Sequence, residues 1–201
     1  MSSTETEIRD EDWECGDVSG QSHNRVAFID VDFIELIDNG AVFSECAFRS
    51  CRFNASAHTA AAFLNCTFSN CSFFDASFTR CKLVGSVFER CTFGLLKVSG
   101  GDWSFVGLAG ADLRNASISG VRMREVDLTG ARCESAILRH VDLSGASLHR
   151  ADFTGADLRG SDLSALDPLA TKLAGAVIDV DQAIVLAGAL GLDVRPDAPR
   201  D

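Results

Sequence analysis

From Trp13 to Ile178 every fifth residue belongs to one apolar series, and no insertion or deletion breaks the count. Of its 34 positions 30 are apolar; the exceptions are His23, Asp38, His58 and Pro168. An amphipathic helix repeats at about 3.6 residues and a pleated strand at about 2, so neither fits. A second series stands two residues ahead of the first and is small: Cys46, Cys51, Cys66, Cys71, Ala76, Cys81, Ser86 and Cys91, then Ala111, Ala116, Ala131, Ala136, Ala146, Ala151 and Ala156. A beat this strict specifies a repeat architecture with one unit per five residues.

Two inward groups in five cannot lie on one straight strand, whose side chains alternate between faces. The units Ala111-Asp112-Leu113, Ala151-Asp152-Phe153 and Ala156-Asp157-Leu158 show the problem plainly. The chain must turn once per unit, always in the same sense, and so coil. Gly20, Gly40, Gly85, Gly110, Asn65, Asn70 and Asn115 recur two residues after the large position. Gly and Asn tolerate the positive φ of a type II turn. The core has two halves. Phe fills 11 of the 14 large positions from Phe28 to Phe93, and Leu fills 8 of the 14 from Val98 to Leu163, so like is expected to stack on like.

Net charge is −11, which argues against direct nucleic-acid binding by phosphate neutralisation. The charge is uneven: −10 over residues 1–47, +4 over 48–100, −2 over 101–178 and −3 over 179–201. No apolar run reaches the ~20 residues needed to span a bilayer, so no membrane association is expected. Residues 1–20 carry no secretory signal, which makes a cytoplasmic location the expectation. Six of the eight cysteines fall in the small series and Cys133 in the large one, with no C-x-x-C pair and no histidine at ligand spacing. We read them as packing groups and expect no metal and no cofactor; only Cys15 stands outside both series.

Asp38 and His58 lie four repeats apart at inward positions, which implies either a buried ion pair or hydrogen bond, or a locally opened coil. No Ser or Cys nucleophile is placed by the register to join them, and no other catalytic set emerges, so the chain is not expected to be an enzyme. Phe74 and Phe105 should point outward. Residues 1–12 read as an acidic arm, 13–178 as the repeat, and 179–201 as a helix and tail. Asp179 and Gln182 make a capping-box start to that helix and Gly191 a stop. Val180, Ala183, Ile184, Ala187 and Leu190 form one stripe, with Val185 and Leu186 beside it, so the helix is apolar nearly all round. One face can cap the last coil. The other suits a second copy of the chain, which makes Val180, Ile184, Val185, Leu186, Ala187 and Leu190 the expected homodimer interface.

The repeat resembles the pentapeptide-repeat family, whose units follow [STAV][DN][LF][STR][GX]. That resemblance implies an all-β right-handed quadrilateral β-helix of about eight coils, with four repeats to the coil, followed by a short C-terminal α-helix. Phe43-Ser44-Glu45-Cys46, Gly85-Ser86-Val87-Phe88 and Gly175-Ala176-Val177-Ile178-Asp179 are similar to the MfpA type within that family, related in role to Qnr proteins. The likeness implies a dimeric rod that imitates duplex DNA, binds DNA gyrase and confers resistance to fluoroquinolones or immunity to gyrase toxins. The unbroken register leaves no counterpart for Qnr loops. Asp142, Asp152, Asp157, Asp162 and Asp167, on the outward side of the late coils, are the candidate gyrase-facing acids. The same aspartates also suit turn hydrogen bonding. Arg114, Arg122, Arg124, Arg132, Arg139 and Arg150 interleave with them. The alternative from another class is a β-helical scaffold for an unrelated protein partner.

Overall fold

The computed structural model describes residues 5–195. Its backbone answers the period directly. Every non-glycine residue with positive φ, from Asp10 through Glu35, Arg80 and Phe105 to Arg150, sits two residues after a large inward residue, with φ between 52° and 61°. The glycines at that position share the conformation. Gly and Asn tolerate such corners most readily. Asp, Glu, Arg, Leu and Phe occupy them too, although each non-glycine residue there is strained by roughly 1–3 kcal/mol. The hydrogen bonds between coils hold the strain in place.

Each corner starts a new side, and four sides make one coil. One side stacks β1 (Thr6–Arg9), β3 (Val26–Ile29), β6 (Ala47–Arg49), β9 (Thr67–Ser69) and β11 (Val87–Glu89) in a parallel sheet. A second stacks β4 (Ile37–Asn39), β7 (Ala57–Thr59), β10 (Ser77–Thr79), β12 (Lys97–Ser99), β13 (Ser117–Ser119) and β14 (Ile137–Arg139). A third stacks β2 (Ser22–Asn24), β5 (Val42–Ser44) and β8 (Ala62–Leu64). The fourth is a series of single parallel bridges, such as Asp12 to Asp32 and Asp152 to Lys172. All partners stand four repeats apart, as Thr6 with Val26 and Asp157 with Val177 show. The fold is a parallel solenoid, as expected.

In-register stacking turns the Phe series into columns. Phe28, Phe48, Phe68 and Phe88 lie nearly parallel, with successive ring centroids 4.9, 4.7 and 4.6 Å apart. Phe33, Phe53, Phe73 and Phe93 form a second column at 4.6, 4.9 and 5.6 Å. Edge contacts between columns supply the geometry that aromatic quadrupoles favour. Further along, Gly101 at the small position before Trp103 lies directly against the backbone of the preceding coil. A Cβ on Gly101 would stand 2.1 Å from the Cys81 carbonyl oxygen.

The cysteines have a hydrogen-bonding reason for their places. In a tight corner the large residue's carbonyl accepts the N–H three residues on, as Leu113 does from Ala116. Where the side is a strand, that bond is missing. At several of these sides a Cys or Ser one coil later donates to the carbonyl instead. Cys51 donates to Phe28, Cys66 to Phe43, Cys71 to Phe48, Cys81 to His58 and Cys91 to Phe68, while Ser86 serves Phe63 and Ser161 serves Leu138. The thiols are free.

Two expectations about the ends change. The arm assigned to residues 1–12 is the first side of the coil from Glu5 onward: β1 pairs with β3, and half-buried Ile8 lies in register with Phe28. Residues 1–4 of that arm lie outside the described residues. Ile8 is five before Trp13 and Asp10 has the corner φ, so the period already runs through this segment, hidden by its acidic setting. At the other end α1 (Val180–Ala189) starts with the expected capping box between Asp179 and Gln182. Gln182 is buried, and its Nε2 donates to the Leu158 and Ser161 carbonyls at 2.6 and 2.7 Å. Leu186 packs on the coil beside it, and the stripe from Val180 to Leu190 faces away.

Burial pushes the thiols of Cys81 and Cys133 up to about 11 and about 12. Exposed Cys15 is raised by the Glu35 carboxylate, 3.5 Å from its sulfur. Cys91 is half-buried. A maleimide reagent at pH about 8 should therefore label Cys15, and Cys91 more slowly, with the other thiols reacting only after unfolding. Labelling of any further thiol in the native protein, read by mass spectrometry, would contradict this packing.

Candidate functional site

The outward aspartates hold the corners together. Asp142, Asp152, Asp157, Asp162 and Asp167 each accept, on Oδ1, the N–H two residues on, at 3.2, 3.0, 3.2, 2.9 and 2.8 Å. Asp12 and Asp17 do the same at the first corners. This is the local side-chain turn that Asp favours. The second oxygen of three late acids meets a cation: Asp142 meets Arg124 at 2.6 Å, Asp152 meets Lys172 at 2.8 Å, and Asp157 meets Arg159 at 2.7 Å. Lys172 and Arg159 hold the Asp152 and Asp157 carboxyls down to about 2. Asp162 and Asp167 have no ion-pair partner among the described residues. The five candidate acids thus share one end of the rod, and three of them are neutralised locally.

Uncompensated negative charge gathers at the opposite end. Among the described residues Asp10, Glu11, Asp12, Glu14, Asp17 and Asp30 have no ion-pair partner. Carboxylate oxygens of Asp12, Glu14 and Asp32 lie within 4.8 Å of one another, and Arg52 pairs with Asp32. These acids surround β1, the outermost strand of its sheet. Charge is one way to protect an open ladder edge from unwanted pairing.

The C-terminal end is apolar. Val180 is 77% exposed, Ile184 49%, Val185 44% and Leu190 49%, with exposed Leu169, Val177, Leu192 and Val194 around them. Of the expected dimer residues only Leu186 and Ala187 are partly covered by the rod. No helix among the described residues is long and apolar enough to cross a membrane.

Inside the rod Asp38 and His58 meet, the first of the two alternatives, with Oδ2 and Nδ1 3.0 Å apart and both residues buried. The expectation that no nucleophile joins them is corrected. Ser56, the small residue before His58, brings Oγ to 3.0 Å from Nε2. The order Ser, His, Asp is that of a hydrolase triad, but the protons run the other way. Ser56 Oγ donates to the Phe53 carbonyl at 2.8 Å, so Nε2 must donate to Ser56. A triad needs Nε2 bare to take the serine proton. Asp38 Oδ1 also accepts the Ala41 N–H at 2.9 Å, and His58 stacks on Phe78 at 4.7 Å. The network is closed, satisfied and shut off from substrate.

Comparison with known proteins agrees with this architecture. Residues 99–130, 108–145 and 127–164 match the family model of pentapeptide repeats, and residues 7–93 match that of the SV2A/B/C luminal domain. No curated protein matches the chain significantly. HetL, a pentapeptide-repeat protein involved in heterocyst differentiation regulation from the cyanobacterium Nostoc sp. strain PCC 7120, superimposes with a TM-score of 0.53 at 17% identity, over 85% of this chain and 84% of HetL. Full-length QnrB1, a plasmid-mediated fluoroquinolone resistance protein, gives 0.50 at 19% identity, over 92% and 90%. At such identities the likeness is one of fold: the chain winds as the same kind of parallel solenoid as these pentapeptide-repeat proteins.

Replacing Asp38 alone with Leu should destabilise the rod by about 3–5 kcal/mol, because it strands a buried imidazole. Adding His58→Phe extends the Phe78 column and should recover most of the loss, as read by denaturant unfolding. Separately, the lowered carboxyls of Asp152 and Asp157 stabilise the fold above their unfolded value of about 3.9. That contribution is lost as pH falls from about 4 towards about 2, so the melting temperature should drop there. Asp152→Asn with Asp157→Asn, which keeps the corner acceptors, should flatten the drop.

Proposed function

We propose that the protein acts by binding another protein through its rod surface, and that DNA gyrase is the partner. Two copies joined through their C-terminal helices occupy the enzyme's basic DNA channel and lessen poisoning by fluoroquinolones or gyrase toxins. The observation that carries the reading is the apolar C-terminal end beside a rod of net charge −11. Head-to-head joining covers Val180, Ile184, Val185 and Leu190 and doubles the charge to −22. Over roughly 80 Å, at a coil spacing of about 4.8 Å, that is about half the charge density of duplex DNA. Such a field steers association with a basic channel. The fold shared with a plasmid-mediated fluoroquinolone resistance protein supports the same role. In this arrangement Asp162 and Asp167 offer free charge near the two-fold axis, Asp142, Asp152 and Asp157 offer paired charge, and the acidic tips lie furthest out.

The ion pairs along the late coils favour a second reading, a scaffold for an unrelated protein partner, because they weaken the anionic field where the mimic would need it. A supercoiling assay separates the two. The dimer at micromolar concentration should inhibit gyrase or relieve its poisoning by a quinolone, and Ile184→Asp with Val185→Asp should abolish both the effect and the dimer seen by sedimentation. Leu186 is left untouched because it packs on the coil. No effect on gyrase from an intact dimer would leave the scaffold reading.

A further inference from the structure

The side built of single bridges keeps three hydrogen bonds at nearly every step. Between the coils of Phe73 and Phe93, for example, Thr92 N–H donates to Cys71, Phe73 N–H to Thr92 and Asp75 N–H to Gly94, at 3.0, 2.8 and 2.7 Å. The step from Phe93 to Leu113 has none of them. The bonds from Asp112 N–H to Cys91, Phe93 N–H to Asp112 and Leu95 N–H to Arg114 are absent, and so is the corner bond from Arg90 N–H to Ala109. The bridge series runs through Ser72 to Thr92, omits Thr92 to Asp112, and resumes with Asp112 to Arg132. The neighbouring sides stay closed: Phe88 N–H donates to Gly107, and Ser117 N–H to Leu96. The rod is therefore split on one side only, where its Phe-rich and Leu-rich halves meet.

The split opens a cleft of about 350 Å³. Its upper lip offers the N–H groups of Phe93 and Leu95. Its lower lip offers the carbonyls of Asp112 and Arg114. Gly94 leaves the upper lip bare, and the Phe74 ring lies over it, since a Cβ on Gly94 would stand 3.0 Å from Phe74 Cδ2. Phe74 and Leu95 are 53% and 49% exposed; Leu95 lines the cleft, and Phe74 packs beside Gly94 from the preceding coil. Asp112 and Arg114 are locked to each other at 2.6 and 2.8 Å, so neither supplies free charge.

We infer that this cleft binds an uncharged primary amide, the side chain of an Asn or Gln carried on a loop of a protein partner. Phe93 and Leu95 donate from one lip towards the Asp112 and Arg114 carbonyls of the other, and the lost Asp112–Cys91 bond leaves one further donor on the lower lip and one acceptor on the upper. A primary amide has the matching order on one flat group: its oxygen accepts from Phe93 and Leu95, and its two N–H bonds reach the Asp112 and Arg114 carbonyls. Unsatisfied main-chain groups at a lip favour any ligand that completes them. A carboxylate has no donor for the lower lip, and an ammonium has no acceptor for the upper one. The closed sides prevent the lips from parting to the ~4.8 Å needed for an inserted strand on each side. Phe74 and Leu95 take apolar residues that flank the amide, the pattern of an anchored contact with a desolvating rim. The site stands where the two halves of the rod meet, apart from the C-terminal helix, and does not depend on gyrase being the partner.

Nuclear magnetic resonance on the full chain tests it, with acetamide as the probe for a side-chain amide, N-methylacetamide for a main-chain one, and acetate as the charged control. The amides of Phe93 and Leu95 should exchange with solvent about tenfold faster than those of Phe73 and Asp75, which are bonded one coil earlier. Acetamide should shift Phe93, Leu95, Asp112 and Arg114 saturably and slow that exchange. N-methylacetamide should bind more weakly and acetate not at all. Equal exchange rates at Phe93 and Phe73 would show a closed ladder and overturn the site. Shifts from acetate as large as those from acetamide, or shifts spread along the rod, would overturn the amide assignment; tighter binding of N-methylacetamide would overturn the side-chain source.

Discussion

A left-handed residue at every fifth position from Asp10 to Gly160 is the constraint on which the rest of the molecule depends. It fixes the length of a side, and four equal sides fix the length of the coil. Only then do like residues fall above like, so that Phe28, Phe48, Phe68 and Phe88 share one column. The strain of non-glycine residues such as Arg80 and Phe105 at φ of 54° and 60° is sustained by bonds between coils, and those bonds exist only because every corner is in phase. Corner and ladder are thus one cooperative unit. A single inserted residue would move every later column off its partner, a stronger penalty than any one contact could impose.

That dependence explains what can be read from the residues and what cannot. The period alone yields the coil, the inward columns, the outward Phe74 and Phe105 and the start of α1, because each follows from phase. Ile8 obeys the same phase but sits among acids, and composition outweighs periodicity there. Ser56 escapes notice as a partner of His58 because it belongs to the small series, whose members look like filler. Its signal is nonetheless present: a hydroxyl two residues before an inward histidine. Some strand sides, such as those of Phe28 and Phe48, are marked in the small series by a Cys donor one coil later, but others, such as that of Phe78, carry no such mark. The split beside Phe93 has no such signal, since the register runs through it unchanged.

The charge pattern has two physical meanings that compete for the same residues. Asp before an inward residue closes a corner by accepting the N–H two residues on, and a run of such corners makes an acidic surface whether or not a partner exists. The ion pairs from Asp142 to Arg124 and from Asp152 to Lys172 show the late coils compensating for it. The first coils compensate less: Arg9, Arg25 and Arg52 pair with Glu7, Glu5, Glu45 and Asp32, while Asp10, Glu11, Asp12, Glu14 and Asp17 have no partner among the described residues. There the acids border an open ladder edge, while the other edge is sealed by Gln182 and α1. Edge protection accounts for acids at the uncapped end without reference to any partner, so the mimicry reading rests more on the dimer's total field than on individual aspartates.

The buried Asp38, His58 and Ser56 set follows the same logic of phase. A polar side chain in a Phe core is costly unless it is satisfied, and satisfaction requires Asp38 and His58 to be stacked one coil apart with Ser56 beside them. A coil that slipped by one side would place His58 against an aromatic column with no acceptor. The network therefore penalises misaligned coils more than it stabilises aligned ones, which suits a repeat whose identical Phe columns would otherwise tolerate a slip of one whole repeat.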